Sequence, residues 1–185
     1  MLIAARHLVD RLRHPRSRAD EVAALRRRLA AVGAATPEAR RLAAEVMRLR
    51  EALGAAFEGT TACAGCARGY PPPHGRWPGG HCCGGPTDGV FTDDEVAALA
   101  LGGVRGGELV PPPPGTDHAG CAFRGAGGCS LTARERPTVC AAYVCRDLAR
   151  GLFDRGRLDE VEALAAELRR AFDAFRAIAG AWPPR

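Results

Sequence analysis

Apolar residues recur along three stretches of this chain at steps of three and four, and each stretch predicts an amphipathic helix. Val22, Leu25, Leu29 and Val32 form the first series; Leu42, Val46, Leu49, Leu53 and Phe57 form the second. Between them Gly33 can end one helix, Thr36 can cap the next and Pro37 suits its first position. Residues 1–58 therefore read as helix, folded into an antiparallel hairpin. The third series is Leu158, Val161, Leu164, Leu168, Phe172, Phe175 and Ile178, one side of a helix over 157–180 that Gly180 and Pro183-Pro184 stop. Such stripes are ordinarily buried faces. Self-association as a homodimer, or docking on a protein partner, is their alternative use.

The pattern breaks between the helices. Residues 60–150 carry 17 glycines and 10 prolines, but only 13 Leu, Ile, Val or Phe. A segment this poor in large apolar groups struggles to offset the entropy of ordering its backbone. Two short helices frame it. Thr92-Asp93-Asp94-Glu95 is a capping-box pattern opening a helix through Val96, Leu99 and Leu101, ending at Gly102. Pro137 suits the first turn of a second, running to about Arg150 before Gly151. The run Pro111 to Pro114 reads as a stiff extended connector. The expected organisation is a helical hairpin over 1–59, a cysteine-rich segment over 60–150, and a C-terminal helix over 151–185 that packs on the rest. The fold class is mainly α, with a loop-rich core of short helices between the long ones.

Charge adds little to this picture. The net charge is +5, and every basic residue is arginine. Residues 1–50 hold twelve arginines against five acids, while 60–150 and 151–185 each balance to zero. The excess belongs to the N-terminal helices, where interspersed acids point to solvated faces and away from nucleic acid. No stretch approaches the ~20 apolar residues of a membrane span. The apolar start, Met1 to Ala5, is shorter than the ~7–15 residues of a signal-peptide core. A cytoplasmic, reducing location is expected, where closely spaced cysteines are ligands or catalytic thiols more often than disulfides.

Cysteine changes the picture most. All eight lie between Cys63 and Cys145, inside the segment that lacks a core of its own. Cys63 and Cys66 form a C-x-x-C, followed after fifteen residues by Cys82-Cys83; Cys121, Cys129, Cys140 and Cys145 form a second group. Two groups of four suit two four-sulfur sites, or one cluster and one structural site. Metal would supply the missing stabilisation, since a structural zinc site contributes an apparent ~10–16 kcal/mol to folding. Adjacent cysteines can share an ion only across a tight turn, which Gly84-Gly85 would allow. On one regular helix Cys140 and Cys145 would lie about 140° apart, and would share an ion only with one of them at the helix end. His81 and His118 stand close to cysteines and could replace a sulfur. Asp88, Asp93, Asp94 and Glu95 are candidate acids near the site; the simpler reading is that they complement a helix dipole.

The order of these residues resembles the CxxCxxCC (YkgJ-like) zinc- or iron-chelating domain family, from Cys63 to about Cys145. The resemblance rests on Cys63-x-x-Cys66 and Cys82-Cys83, then Phe91-Thr92 with Glu95 and Leu99. It continues through Gly120-Cys121-Ala122-Phe123 and Gly128-Cys129-Ser130-Leu131, and ends on Arg136-Pro137-x-x-Cys140-x-x-Tyr143-x-Cys145. The chain departs from the family in carrying fifteen residues, Ala67 to His81, where two are usual. The resemblance implies chelation of zinc or iron, including an iron–sulfur cluster. Relatives of the family include bacterial flagellin lysine N-methylases, so iron–sulfur-dependent protein modification, or an accessory role in it, is the alternative. No glycine-rich cofactor loop supports methyl transfer independently: Gly102-Gly103 and Gly106-Gly107 lack the strand–turn–helix context. All eight cysteines are expected as thiolate ligands, with Arg136 bonding a thiolate or carbonyl to hold the last turn. An electron carrier, a thiol redox protein and an arginine-mediated nucleic-acid binder are the competing classes.

Overall fold

The computed structural model describes residues 17–62, 86–113, 121–125 and 128–179. Helix α1 spans Arg18–Ala30, where Ser17 accepts the Asp20 N–H as N-cap and Asp20 and Glu21 fill the first turn. It closes on Ala31, so Gly33 lies beyond its end. Helix α2 spans Pro37–Ala56, with Thr36 accepting the Ala39 N–H at 3.1 Å and proline at the start, as the sequence predicts. Helix α3 is the single turn Thr87–Val90. Helix α4, Asp93–Leu101, is capped by Thr92 and ends on Gly102. A 3-10 turn over Gly106–Glu108 follows.

Two-residue strands β1, Arg124–Gly125, and β2, Gly128–Cys129, pair antiparallel with Arg124 opposite Cys129. The helix expected from Pro137 to Arg150 is two helices. Pro137 is the N-cap of α5, Thr138–Ala141, and Cys145 is the N-cap of α6, Arg146–Phe153, which runs through Gly151. The break is pinned from outside, because Arg169 donates to the Ala142 carbonyl at 2.7 Å. The last helix, α7, spans Leu158–Ala179 and buries Val161, Leu168, Phe172 and Phe175. The fold is mainly α.

Packing is dominated by α2 along α7, with α4 against both. Helix α1 lies on α4, α3 and the 3-10 turn, so its apolar face and that of α2 are covered chiefly by other elements. The predicted antiparallel pairing of α1 and α2 is therefore not the organising contact. One core joins all three compositional segments: Phe91, Val96, Leu99, Leu109, Phe123 and Leu131 from the glycine-rich segment are buried with Leu49, Leu53, Leu168 and Phe175 from the long helices. Each such side chain contributes ~1.5–3 kcal/mol when buried. The described part of the glycine-rich segment thus borrows the core of its flanks. Among the described residues no helix is long and apolar enough to cross a membrane.

Candidate metal centre

Four of the predicted ligands, Cys63, Cys66, Cys82 and Cys83, fall outside the described residues, as do His81 and His118. The other four stand on separate elements. Cys121 leads into β1, Cys129 ends β2, Cys140 lies on α5 and Cys145 caps α6. The short hairpin brings the first two together. Its register is held by the Arg124 N–H on the Cys121 carbonyl at 3.1 Å and the Ser130 N–H on the Phe123 carbonyl at 2.8 Å. Phe123 anchors it, with its ring 5.6 Å from that of Phe91 in the core.

The Cys121 thiol is enclosed although part of the residue meets solvent, and burial pushes its pKa up to about 11. The Phe123 N–H and the Thr87 hydroxyl oppose that shift, while negative charge on nearby Cys129 adds to it. Thr87 is the joint of this corner. Its hydroxyl donates to the Glu21 carboxylate and accepts the Ala122 N–H at 2.8 Å, tying α1 and α3 to the turn that carries Cys121.

Cys129 also lines a cavity of about 390 Å³, whose wall includes Cys140, Arg50, Arg136, Thr60 and Tyr143. Cys129 thus has Cys121 as its electrostatic neighbour and shares the cavity wall with Cys140. Among the described residues flanking the segment that holds the other four cysteines, Thr60 lies in the cavity wall and Thr87 is bonded to the turn that carries Cys121. Among the described residues no three His, Cys, Asp or Glu side chains converge on a single metal-sized point. Arg136 donates through Nε to the Leu131 carbonyl at 3.1 Å, a carbonyl contact of the kind predicted for it. The last turn itself is held by Arg169, which the sequence did not single out.

Beneath the cavity lies a buried ion pair that the sequence reading missed. Arg50 on α2 donates through Nη2 to the Glu95 carboxylate on α4 and to the Thr138 hydroxyl on α5, the latter at 3.0 Å. Glu95 also accepts the Thr138 N–H at 2.8 Å. Both charged side chains are almost wholly enclosed, at 0% and 4% exposure. Burial lowers the Arg50 pKa and raises that of Glu95, each opposed by the attraction of the other. Only half of the predicted capping box forms: Thr92 accepts the Glu95 N–H, while the Glu95 side chain turns inward. The signal was present in the sequence, because Arg50 falls between Val46 and Leu53 at helical steps, a charge inside an apolar stripe. Asp93 and Asp94 are elsewhere, paired at the surface with Arg28 and Arg176.

Chemically, the cavity wall offers the Cys129 and Cys140 thiols with the Arg136 guanidinium, and Cys121 neighbours Cys129. Thiolates are soft donors suited to zinc and iron–sulfur centres, and a metal must displace the proton that burial favours on Cys121. Compared with known protein families, curated proteins and solved structures, the chain finds no match.

Proposed function

We propose that this protein binds zinc or iron, the latter including an iron–sulfur cluster, through Cys63, Cys66, Cys82, Cys83, Cys121, Cys129, Cys140 and Cys145 as thiolates. One observation carries the reading. Cys129 has Cys121 as its electrostatic neighbour and shares a cavity wall with Cys140 and with Thr60, which precedes the segment bearing the other four cysteines. The donor set fits, since it is all sulfur, and Arg136 in the same cavity wall as Cys129 and Cys140 would offset part of the excess negative charge of four-thiolate coordination. A bound metal would crosslink the segment that composition leaves without a core. The resemblance to the CxxCxxCC family and a reducing, cytoplasmic setting belong to the same reading.

A second reading is favoured by the cavity beside Cys129 and Cys140. Room for a small molecule next to the cysteines suits an iron–sulfur-dependent modifying enzyme, or its accessory protein, more than a closed structural site. Anaerobic purification with elemental analysis and a visible spectrum separates the outcomes. Zinc in a colourless protein supports a structural centre, and iron with sulfide and charge-transfer absorption supports a cluster. A fully folded chain containing neither, even after reconstitution, sinks the proposal.

A further inference from the structure

Cys140 has little of its own to hold it in place. It sits in α5, the single turn Thr138–Ala141, and the residue is exposed. One turn of helix is not stable by itself in water. The Cys140 and Ala141 N–H groups donate to the Pro137 carbonyl at 2.9 and 2.8 Å, which fixes the thiol only relative to the residues just before it.

The turn is fastened from outside at both ends. At its start, Thr138 donates its N–H to Glu95 on α4 at 2.8 Å, and its hydroxyl accepts from Arg50 on α2 at 3.0 Å. At its close, the Ala142 carbonyl accepts from Arg169 on α7 at 2.7 Å. Three other helices thus place a turn that carries one predicted ligand, and their bonds fall on the residues two before and two after it.

Stability does not account for the charged pair at the start. Arg50 and Glu95 are enclosed, and Nε and Nη1 of Arg50 are buried with no partner among the described residues. Matched apolar side chains would serve the fold as well or better, because they carry no desolvation penalty. They could not bond the Thr138 N–H and hydroxyl, however, and so could not set the direction of the turn.

We infer that Arg50, Glu95 and Arg169 are positioning residues for the metal centre, holding the α5 turn so that the Cys140 thiolate is aimed for coordination. The inference rests on the metal-binding reading above. Groups bonded behind a ligand orient it, and their loss typically costs ~10–100-fold in metal affinity.

The test uses the full chain, reduced and stripped of metal, and measures retention of added zinc against a chromophoric chelator. Iron with sulfide replaces zinc if the parent takes up only those. The Arg50→Met/Glu95→Leu double variant is the informative one, because its stability is expected near that of the parent. Its metal affinity should nevertheless fall about tenfold or more. Arg169→Met, a change at an exposed position, should lower the affinity in the same sense, and decides alone if the double variant does not fold. Added to Cys140→Ala, neither change should lower the affinity further, because the ligand through which they act is gone. Parent affinity in both folded variants would overturn the inference and leave the metal reading standing. So would equal losses with and without Cys140, which would assign them to the fold at large, or a Cys140→Ala chain that binds as tightly as the parent. A parent chain that takes up no metal would instead sink the metal reading, and this inference with it.

Discussion

Replacing Glu95 with leucine removes the carboxylate facing Arg50 while keeping an apolar side chain of similar size. Arg50 would retain the Thr138 hydroxyl at 3.0 Å and no counter-charge, in a position with no exposed surface. The Thr138 N–H would lose its acceptor in the same step. Breaking a buried pair in this way costs about 3–5 kcal/mol. Total stabilities are about 5–15 kcal/mol, so the variant should unfold at a much lower urea concentration. Arg50→Met should cost a similar amount by stranding Glu95. The double variant should recover to near the parent stability, because two matched apolar side chains remove both desolvation penalties, and such replacements are often neutral or stabilising by about 1–4 kcal/mol. Equilibrium urea unfolding of the four proteins, followed by far-UV circular dichroism, completes the cycle. Single losses below about 1 kcal/mol, or a double variant as unstable as the sum of the singles, would show that the pair is not the coupled unit that joins α2, α4 and α5.

Gly54 lies inside α2, where alanine would ordinarily add about 1 kcal/mol. A Cβ there would stand 2.3 Å from the Cβ of Ala133. Gly54→Ala should therefore destabilise, with overpacking costing about 1–3 kcal/mol, and Ala133→Gly should restore it; a urea midpoint that rises in Gly54→Ala would contradict the close approach. The Cys121 thiol yields a pH prediction for metal-free protein. Its pKa is raised from 9.0 to about 11, so the fold favours the protonated form. That contribution is complete below pH 9 and is lost as pH rises to about 11, worth at most about 2–3 kcal/mol at 1.36 kcal/mol per unit. Thermal unfolding of chelated protein should fall across this window and Cys121→Ser should fall less; parallel curves would refute the burial argument.

Much of the helical frame was legible because its causes are local. The apolar periods of α2 and α7, the Thr36 cap with Pro37, and the Thr92 cap with Gly102 each act within a few residues of the chain. The candidate cysteines were legible as a count and an order. Their placement was not, since Cys121, Cys129, Cys140 and Cys145 sit on four elements whose relation depends on a hairpin and a helix break. That break over residues 142–145 is bonded to Arg169 on α7, 27 residues away from Ala142. Nor could a local reading assign Glu95, whose sequence context is that of a helix cap.

The chain by itself determined where helices start, which faces are apolar and which residues carry sulfur, because propensity, capping and periodicity are short-range. Only the tertiary structure decided that α1 turns to α4, that Arg50 and Glu95 meet across 45 residues of sequence, and that Arg50 shares a cavity wall with Cys129 and Cys140. A buried charge adopts the partner that packing brings to it, and packing is a property of the whole core.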